Sequence, residues 1–269
     1  MRVPKGSVKF RWMRLLFLDE VDSTQRVAIE QVQRGERAWD AICADHQTAG
    51  RGRRGARWHD EPGTSLLVSF LLWDVPLPDP PGLLGIAAAI AAAETLEQAF
   101  PPLQVRLKYP NDLILQGRKL GGVLVEIVEE TAIVGVGINL AQREFPEPLR
   151  ESAISVWQGL SPEKRKEFAL DLPCPGPYRA LRAHLIEGIG KRLKELAMQV
   201  ASSGATLLHP LWQARDDTGG RIYQILDVPG RPVGIALRVE PDFRLRLRLP
   251  DSSEHATYLV TSIEVVNRA

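Results

Sequence analysis

The chain has 269 residues, of which 44% are hydrophobic and 25% charged, and its net charge is +1 at pH 7. That length allows a sizeable core, one large domain plus a small one. The near-neutral balance excludes a nucleic-acid coat or a membrane-surface protein working by overall basicity, so any basic patch must be local. Two cysteines, Cys43 and Cys174, exclude a disulfide framework and fit a reducing compartment. The N-terminal stretch has no unbroken apolar core or cleavage site, and the longest apolar run, LLGIAAAIAAA (83–93), is too short to span a bilayer. A cytoplasmic protein without a membrane segment is expected.

In chain order, MRLLFLDEV (13–21) reads as a strand, and Asp22-Ser23-Thr24 supplies helix-starting residues for QRVAIEQVQRG. WDAICADH (39–46) is a second strand, and TSLLVSFLLW (64–73), apolar on both faces, a central one. An Ala-rich helix is expected from about Pro81 to Phe100. VRLKY, a PND turn, LILQ, KLGGVLVEIVEE and TAIVGVGIN then read as successive β-hairpins rather than βαβ units. Residues 141–178 hold six prolines and predict an irregular connection with one short helix after Ser161-Pro162. Apolar residues recur at helical spacing over 178–200. From Gly219 the pattern turns to period two, which predicts a small β-barrel. The expected division is 1–215 and 219–269.

GRGRRG (50–55) matches the dinucleotide fingerprint literally, but ARWHDEPGTS and a strand follow it, not the helix that would hold a pyrophosphate. What remains is a glycine-containing loop with four arginines, Arg51, Arg53, Arg54 and Arg57. Like charges so close repel, so the loop should be mobile until an anion taking several Arg contacts orders it. A solvated basic loop, or single-stranded nucleic acid stacking on Trp58, are the alternatives. Asn111, Asp112 and Lys119 fall in one hairpin, KYPNDLILQGRKLGG, and Gly121-Gly122 permit close approach there. Read singly, PND is an ordinary turn and Lys119 a surface lysine. Asn139 ends an apolar strand and either packs or bonds a ligand. Asp22-Ser23-Thr24-Gln25 is a helix cap or a polar ligand cradle. In FRLRLRL, Arg244, Arg246 and Arg248 face away from Phe243, Leu245, Leu247 and Leu249, either into solvent or towards an acidic partner.

Taken together, DSTQ (22–25), QTAGRGRRG (47–55), Trp58, KYPNDLIL (108–115), RKLGGVLVE (118–126) and VGVGIN (134–139) resemble the biotin–protein ligases in order and spacing over roughly residues 14–140. The resemblance implies an α+β fold, a mixed β-sheet flanked by helices and related to lipoate ligases, with a small C-terminal SH3-like β-barrel. It departs from the pattern at Ala56, where another basic residue is common, at Tyr109 in place of Trp, and at SIEVV in the tail. Only about a dozen residues precede the matched region, so the resemblance implies a ligase without a DNA-binding domain.

The implied reaction joins biotin to ATP as biotinyl-5′-AMP and then to a lysine of a biotin carboxyl carrier protein. ATP and biotin are substrates, Mg²⁺ accompanies ATP, and no structural metal is expected because the five histidines lack ligand spacing. DNA and membranes are not expected partners, and a homodimer is compatible with the resemblance. Lys119, Asp112 and Arg53 are the expected catalytic residues: Lys119 as a point charge between carboxylate and α-phosphate, Asp112 to accept or orient the proton of the carrier's lysine, and Arg53, by the resemblance, at biotin or the adenylate. Ser23, Thr24, Gln25, Gln47, Gly50, Arg51, Gly52, Arg53, Lys119, Gly121 and Gly122 are expected at biotin. Arg51, Arg53, Arg54, Trp58, Asn111, Lys119 and Asn139 are expected at ATP or the adenylate. Lipoate or octanoate transfer on the same fold is the alternative within this class; octanoyl transfer uses a cysteine nucleophile, and Cys43 lies in an apolar strand.

Overall fold

The computed structural model describes residues 7–10, 12–171 and 178–262. Eight strands form where the sequence alternates or runs apolar: β1 (Ser7–Lys9), β2 (Arg14–Val21), β3 (Ala41–Gln47), β4 (Ser65–Leu72), β5 (Arg106–Lys108), β6 (Asp112–Leu115), β7 (Arg118–Val128) and β8 (Thr131–Asn139). They make one sheet in the order β1-β2-β3-β4-β8-β7-β6-β5. β2 and β3 run parallel, joined by helix α1 (Thr24–Gln33), whereas the other neighbours are antiparallel. The sheet is therefore mixed, and β4, buried at every position, is central as its two apolar faces require.

The Ala-rich α2 (Leu83–Ala99) packs with α5 (Tyr178–Ser203) over one face of the sheet. Small residues set this approach: a Cβ on Gly188 would meet Thr95 Cγ2 at 2.8 Å. α1 covers part of the other face through Ala28 and Val32 against Ile42, Leu71 and Ile133. The 141–171 connection contains α4 (Pro162–Glu167), capped by Ser161 as its sequence predicts. It also contains a four-residue α3 (Val156–Gly159), whose Ser155/Gln158 capping box is too short a signal to stand out from sequence. The PCPGP cluster, with Cys174, lies outside the described residues.

A second, five-stranded antiparallel sheet follows α6 (Leu208–Gln213): β9 (Ile222–Ile225), β10 (Val233–Val239), β11 (Leu245–Arg248), β12 (Glu254–Thr257) and β13 (Val260–Ser262), in the order β12-β11-β10-β9-β13. This antiparallel sheet is consistent with an SH3-like unit. On β11, Leu245 and Leu247 are buried and the arginines point outward, where Arg244 meets Asp242 and Arg246 meets Glu240 and Glu254. Tyr109 ties the two sheets together. Its hydroxyl donates to the Phe243 carbonyl (2.9 Å), its own carbonyl accepts from the Tyr223 hydroxyl (2.9 Å), and the buried Trp212 lies edge-on to its ring.

Helix α5 is anchored to the sheet by charge as well as packing. Arg182, with no exposed surface, donates to Asp45 on β3 at 2.5 Å, and Arg179 reaches the other carboxylate oxygen at 2.7 Å. Removing the carboxylate strands a buried guanidinium. Asp45→Ala is expected to lower the unfolding free energy by about 3–5 kcal/mol in urea denaturation.

Candidate active site

On the α1 side of the large sheet, beyond the end of the helix contact, lies a cavity of about 540 Å³. Its floor is one face of three neighbouring strands. Leu67 and Ser69 of β4 pair with Gly137 and Gly135 of β8, which pair in turn with Gly122 and Leu124 of β7. The glycines clear space for what lies above them: a Cβ on Gly135 would meet Gln25 Oε1 at 2.8 Å, and one on Gly137 would meet the Trp58 ring at 2.9 Å.

One end of the cavity is polar and uncharged. Gln47 Oε1 accepts from the Thr24 amide (2.7 Å) and hydroxyl (3.1 Å). The Thr24 and Ser69 hydroxyls lie 2.9 Å apart, Ser69 Oγ donates to Gln25 Oε1 at 2.9 Å, and Gln25 Nε2 donates to the Ile133 carbonyl. The start of α1 thus turns its side chains inward; Ser23 occupies the N-cap without a side-chain capping bond.

The other end is cationic. Lys119 Nζ lies 2.7 Å from Asp112 Oδ1, and Lys108 Nζ lies 3.2 Å from Asp112 Oδ2. A β-bulge puts Lys119 there: Leu113 pairs with Gly121 but Ile114 pairs with Lys119, leaving Leu120 extra. The extra residue reverses the alternation, so Lys119 shares the cavity face with Gly122 and Asp112. Burial pushes the Asp112 carboxyl up, but the two lysine charges and their hydrogen bonds outweigh it and hold Asp112 below the usual carboxylate range. Beside them Asn111 is locked to Val123, its Nδ2 donating to the carbonyl, and its Oδ1 accepts from Arg53 at 3.1 Å.

The arginine loop roofs the cavity as a small hairpin. Gly52 donates to the Ala56 carbonyl and Trp58 to the Gly50 carbonyl, around a 3-10 turn at Arg53–Gly55. Arg54 takes left-handed backbone angles there (φ 54°, ψ 34°). The arginines fan out to separate acceptors, which relieves their repulsion: Arg51 to Glu126, Arg53 to Asn111, Arg54 to the Val260 carbonyl of the second sheet, and Arg57 to the Thr48 carbonyl. Burial lowers the Arg53 guanidinium pKa, against the pull of Asp112. Trp58 Nε1 is buried at the cavity wall and finds no hydrogen-bond partner among the described residues.

Of the residues singled out in the sequence, Thr24, Gln25, Gln47, Gly52, Arg53, Arg54, Ala56, Arg57, Trp58, Tyr109, Asn111, Asp112, Lys119 and Gly122 line the cavity. Ser23, Gly50, Arg51, Gly121 and Asn139 are not brought to it. Ser23 is buried at the helix start, and Gly50 packs against Gln47 and Trp58. Arg51 pairs with Glu126 outside, and Gly121 serves close strand approach, a Cβ there falling 2.6 Å from the Gly137 carbonyl oxygen. Asn139 donates to the Ile154 carbonyl and so holds the 141–155 connection. Sequence reading missed Ser69, Gly135 and Gly137, although a serine inside SLLVSFLL and two glycines two apart on β8 were visible signals. It also left Lys108 without a role. Cys43 faces the core with no exposed surface, and burial pushes its thiol up to about 12, which removes it as a nucleophile. Among the described residues no group of three or more His, Cys, Asp or Glu side chains gathers to hold a metal, and no helix is long and apolar enough to cross a membrane.

Residues 18–141 match the biotin/lipoate A/B protein ligase family. The chain is 36% identical over 152 residues to the bifunctional ligase/repressor BirA of Bacillus subtilis, covering 54% of this chain and 46% of that protein. It is 33% identical over 150 residues to the biotin–[acetyl-CoA-carboxylase] ligase of Mycobacterium tuberculosis, covering 54% of each. The matched stretch thus spans about half the length of these relatives. Its fold is that of the Aquifex aeolicus biotin protein ligase solved with biotin and ATP, with a TM-score of 0.68 at 24% identity over 93% of this chain and 98% of that one. The match to the biotin/lipoate A/B protein ligase family thus rests on residues 18–141, just under half of the chain.

Proposed function

We propose that this chain is an ATP-dependent biotin ligase acting on a biotin carboxyl carrier domain, with residues 1–215 as the catalytic unit and 219–269 as a β unit bracing it. The observation that carries the reading is the polarity of the cavity along its length. A neutral hydrogen-bonding end, Thr24, Gln25, Gln47 and Ser69, suits the ureido ring of biotin. Leu67 and Leu124, with the bare Gly135 and Gly137 backbone between them, suit its aliphatic chain, and Lys119 with Arg53 suits a carboxylate meeting a phosphate.

Two anions must meet for the first bond to form, and fixed cations lower that barrier. A biotin carboxylate oxygen attacks the α-phosphorus of Mg·ATP, and the bond to pyrophosphate breaks. Lys119 sits between the two reacting groups as a point charge, with its aim fixed by Asp112. The roof loop, Arg53 and Trp58 then keep water from the mixed anhydride. In the second step the carrier's amine nitrogen attacks the acyl carbon, AMP leaves with the C–O electron pair, and the amine proton is lost. Asp112, gripped by two ammonium groups, suits orientation better than proton acceptance. The nucleic-acid alternative is disfavoured by Trp58, turned into the cavity, and by the intramolecular acceptors that engage the loop arginines. Octanoyl transfer is disfavoured by the position of Cys43.

Purified protein is expected to release pyrophosphate with ATP and biotin but not with ATP and lipoate; release with lipoate alone would overturn the assignment. Lys119→Ala should slow that release by about 100-fold or more, and near-normal rates would remove Lys119 from its role. Gly135→Ala forces a Cβ to within 2.8 Å of Gln25 Oε1 and is expected to raise the KM for biotin with that for ATP little changed; steady-state kinetics with each substrate varied will check this. Because folded Asp112 titrates below its unfolded value, its ion pairs stabilise the fold above that value, and the contribution is lost as pH falls through the folded pKa. Asp112→Asn should therefore flatten the fall in unfolding free energy between about pH 5 and pH 3, followed by urea denaturation across that range.

A further inference from the structure

A buried carboxylate at the foot of the roof loop takes no part in the steps above. Asp60 follows Trp58 by two residues on the returning limb, and its side chain is 1% exposed. Its Oδ2 accepts from the Gln47 backbone amide at 3.3 Å and lies 2.8 Å from His46 Nδ1. Both partners sit at the end of β3, from which the loop departs. Asp60 Oδ1 is buried and finds no hydrogen-bond partner among the described residues. Such a half-satisfied carboxylate is costly to bury, so packing alone does not account for it. What it holds is the neutral end of the cavity. Gln47 turns its side chain to Thr24, while the Trp58 ring lies over Gly137. Gly50 is wedged between them: a Cβ there would fall 3.1 Å from Gln47 Nε2 and 3.0 Å from the Trp58 carbonyl oxygen.

We infer that Asp60 is a positioning residue for biotin: it ties the returning limb of the roof loop to the end of β3 and so fixes the gap between Gln47 and the Trp58 ring. This rests on the ligase reading above and adds to it what sets the width of the biotin end. Neither Asp60 nor His46 lines the cavity, so both act through the residues they hold. Extended backbone puts residues i and i+2 on one side. Trp58 and Asp60 accordingly turn inward together, while His59 between them is exposed. Losing the clamp therefore loosens the Trp58 wall and the Gln47 amide at once. The cationic end is spared, because Asp112 and Lys119 stand on β6 and β7, away from the clamp.

Pyrophosphate release on the full chain, with biotin and ATP each varied and melting temperature followed, tests this. Asp60→Ala is expected to raise the KM for biotin about tenfold or more, with that for ATP changed less than about twofold. Asp60→Asn, which keeps the shape and one acceptor oxygen, should fall between Asp60→Ala and wild type. His46→Ala should raise the same KM, and adding it to Asp60→Ala should do no further harm, because His46 works through Asp60. A residue that served stability alone would lower the melting temperature without separating the two KM values. A KM for biotin that stays unchanged, or rises equally with that for ATP, would overturn the inference, as would additive effects of the two substitutions. If Asp60→Ala does not fold, Asp60→Asn decides by the same separation of KM values. Failure of wild type to release pyrophosphate would instead sink the ligase reading itself.

Discussion

Two ammonium groups on a single carboxylate set the terms for the rest of the site. Asp112 is held from both sides, by Lys108 out of the core and by Lys119 out of the cavity. Removing Asp112 would strand the buried Lys108 ammonium in a low-dielectric place. The fold meets this by building all three on one pair of short hairpins. β5 and β6 place Lys108 across from Asp112, and the bulge at Leu120 brings Lys119 to the same face. Asn111 then fixes the turn to Val123 and passes its carbonyl to Arg53, so the roof loop is registered on the same hairpin.

The second sheet matters because it grips this hairpin. Tyr109, one residue from Lys108, takes hydrogen bonds from Tyr223 and gives one to Phe243, while Arg54 reaches from the roof loop to Val260. The small β unit therefore touches both the cationic end and the roof, though the large sheet supplies the floor. Tyr109 is where the sequence departs from the family pattern, and the departure has a structural use: a phenol hydroxyl carries a bond to the other unit. Ala56 has a smaller account. It lies across the tight hairpin from Gly52, exposed to solvent, and nothing in the structure calls for a basic side chain there.

Much of the architecture was legible. The uniformly apolar β4, the hairpin run from 106 to 139, the Ala-rich helix and the period-two tail all follow from local patterns. The clustering of the arginine loop with Asn111, Asp112 and Lys119 followed from motif order. What escaped were matters of facing. Asn139 lies two residues beyond Gly137 on the same strand, yet the segment through Ile154 lies against it. Arg51, within the motif, swings out to Glu126, and the four-residue α3 is too short to leave a periodic trace.

The sequence by itself determined the elements, the motifs that carry the family resemblance and the inventory of polar groups, because hydrophobic period and motif spacing are local properties. Only the tertiary structure decided which of those groups share a cavity. Thr24, Gln47, Ser69 and Gly135 come from different elements, and their meeting depends on strand order and register. Lys119 shows the reason most clearly. Strand side chains alternate with a period of two, so a single extra residue at Leu120 transfers the lysine from one face of the sheet to the other, and no local pattern in RKLGG reports that shift.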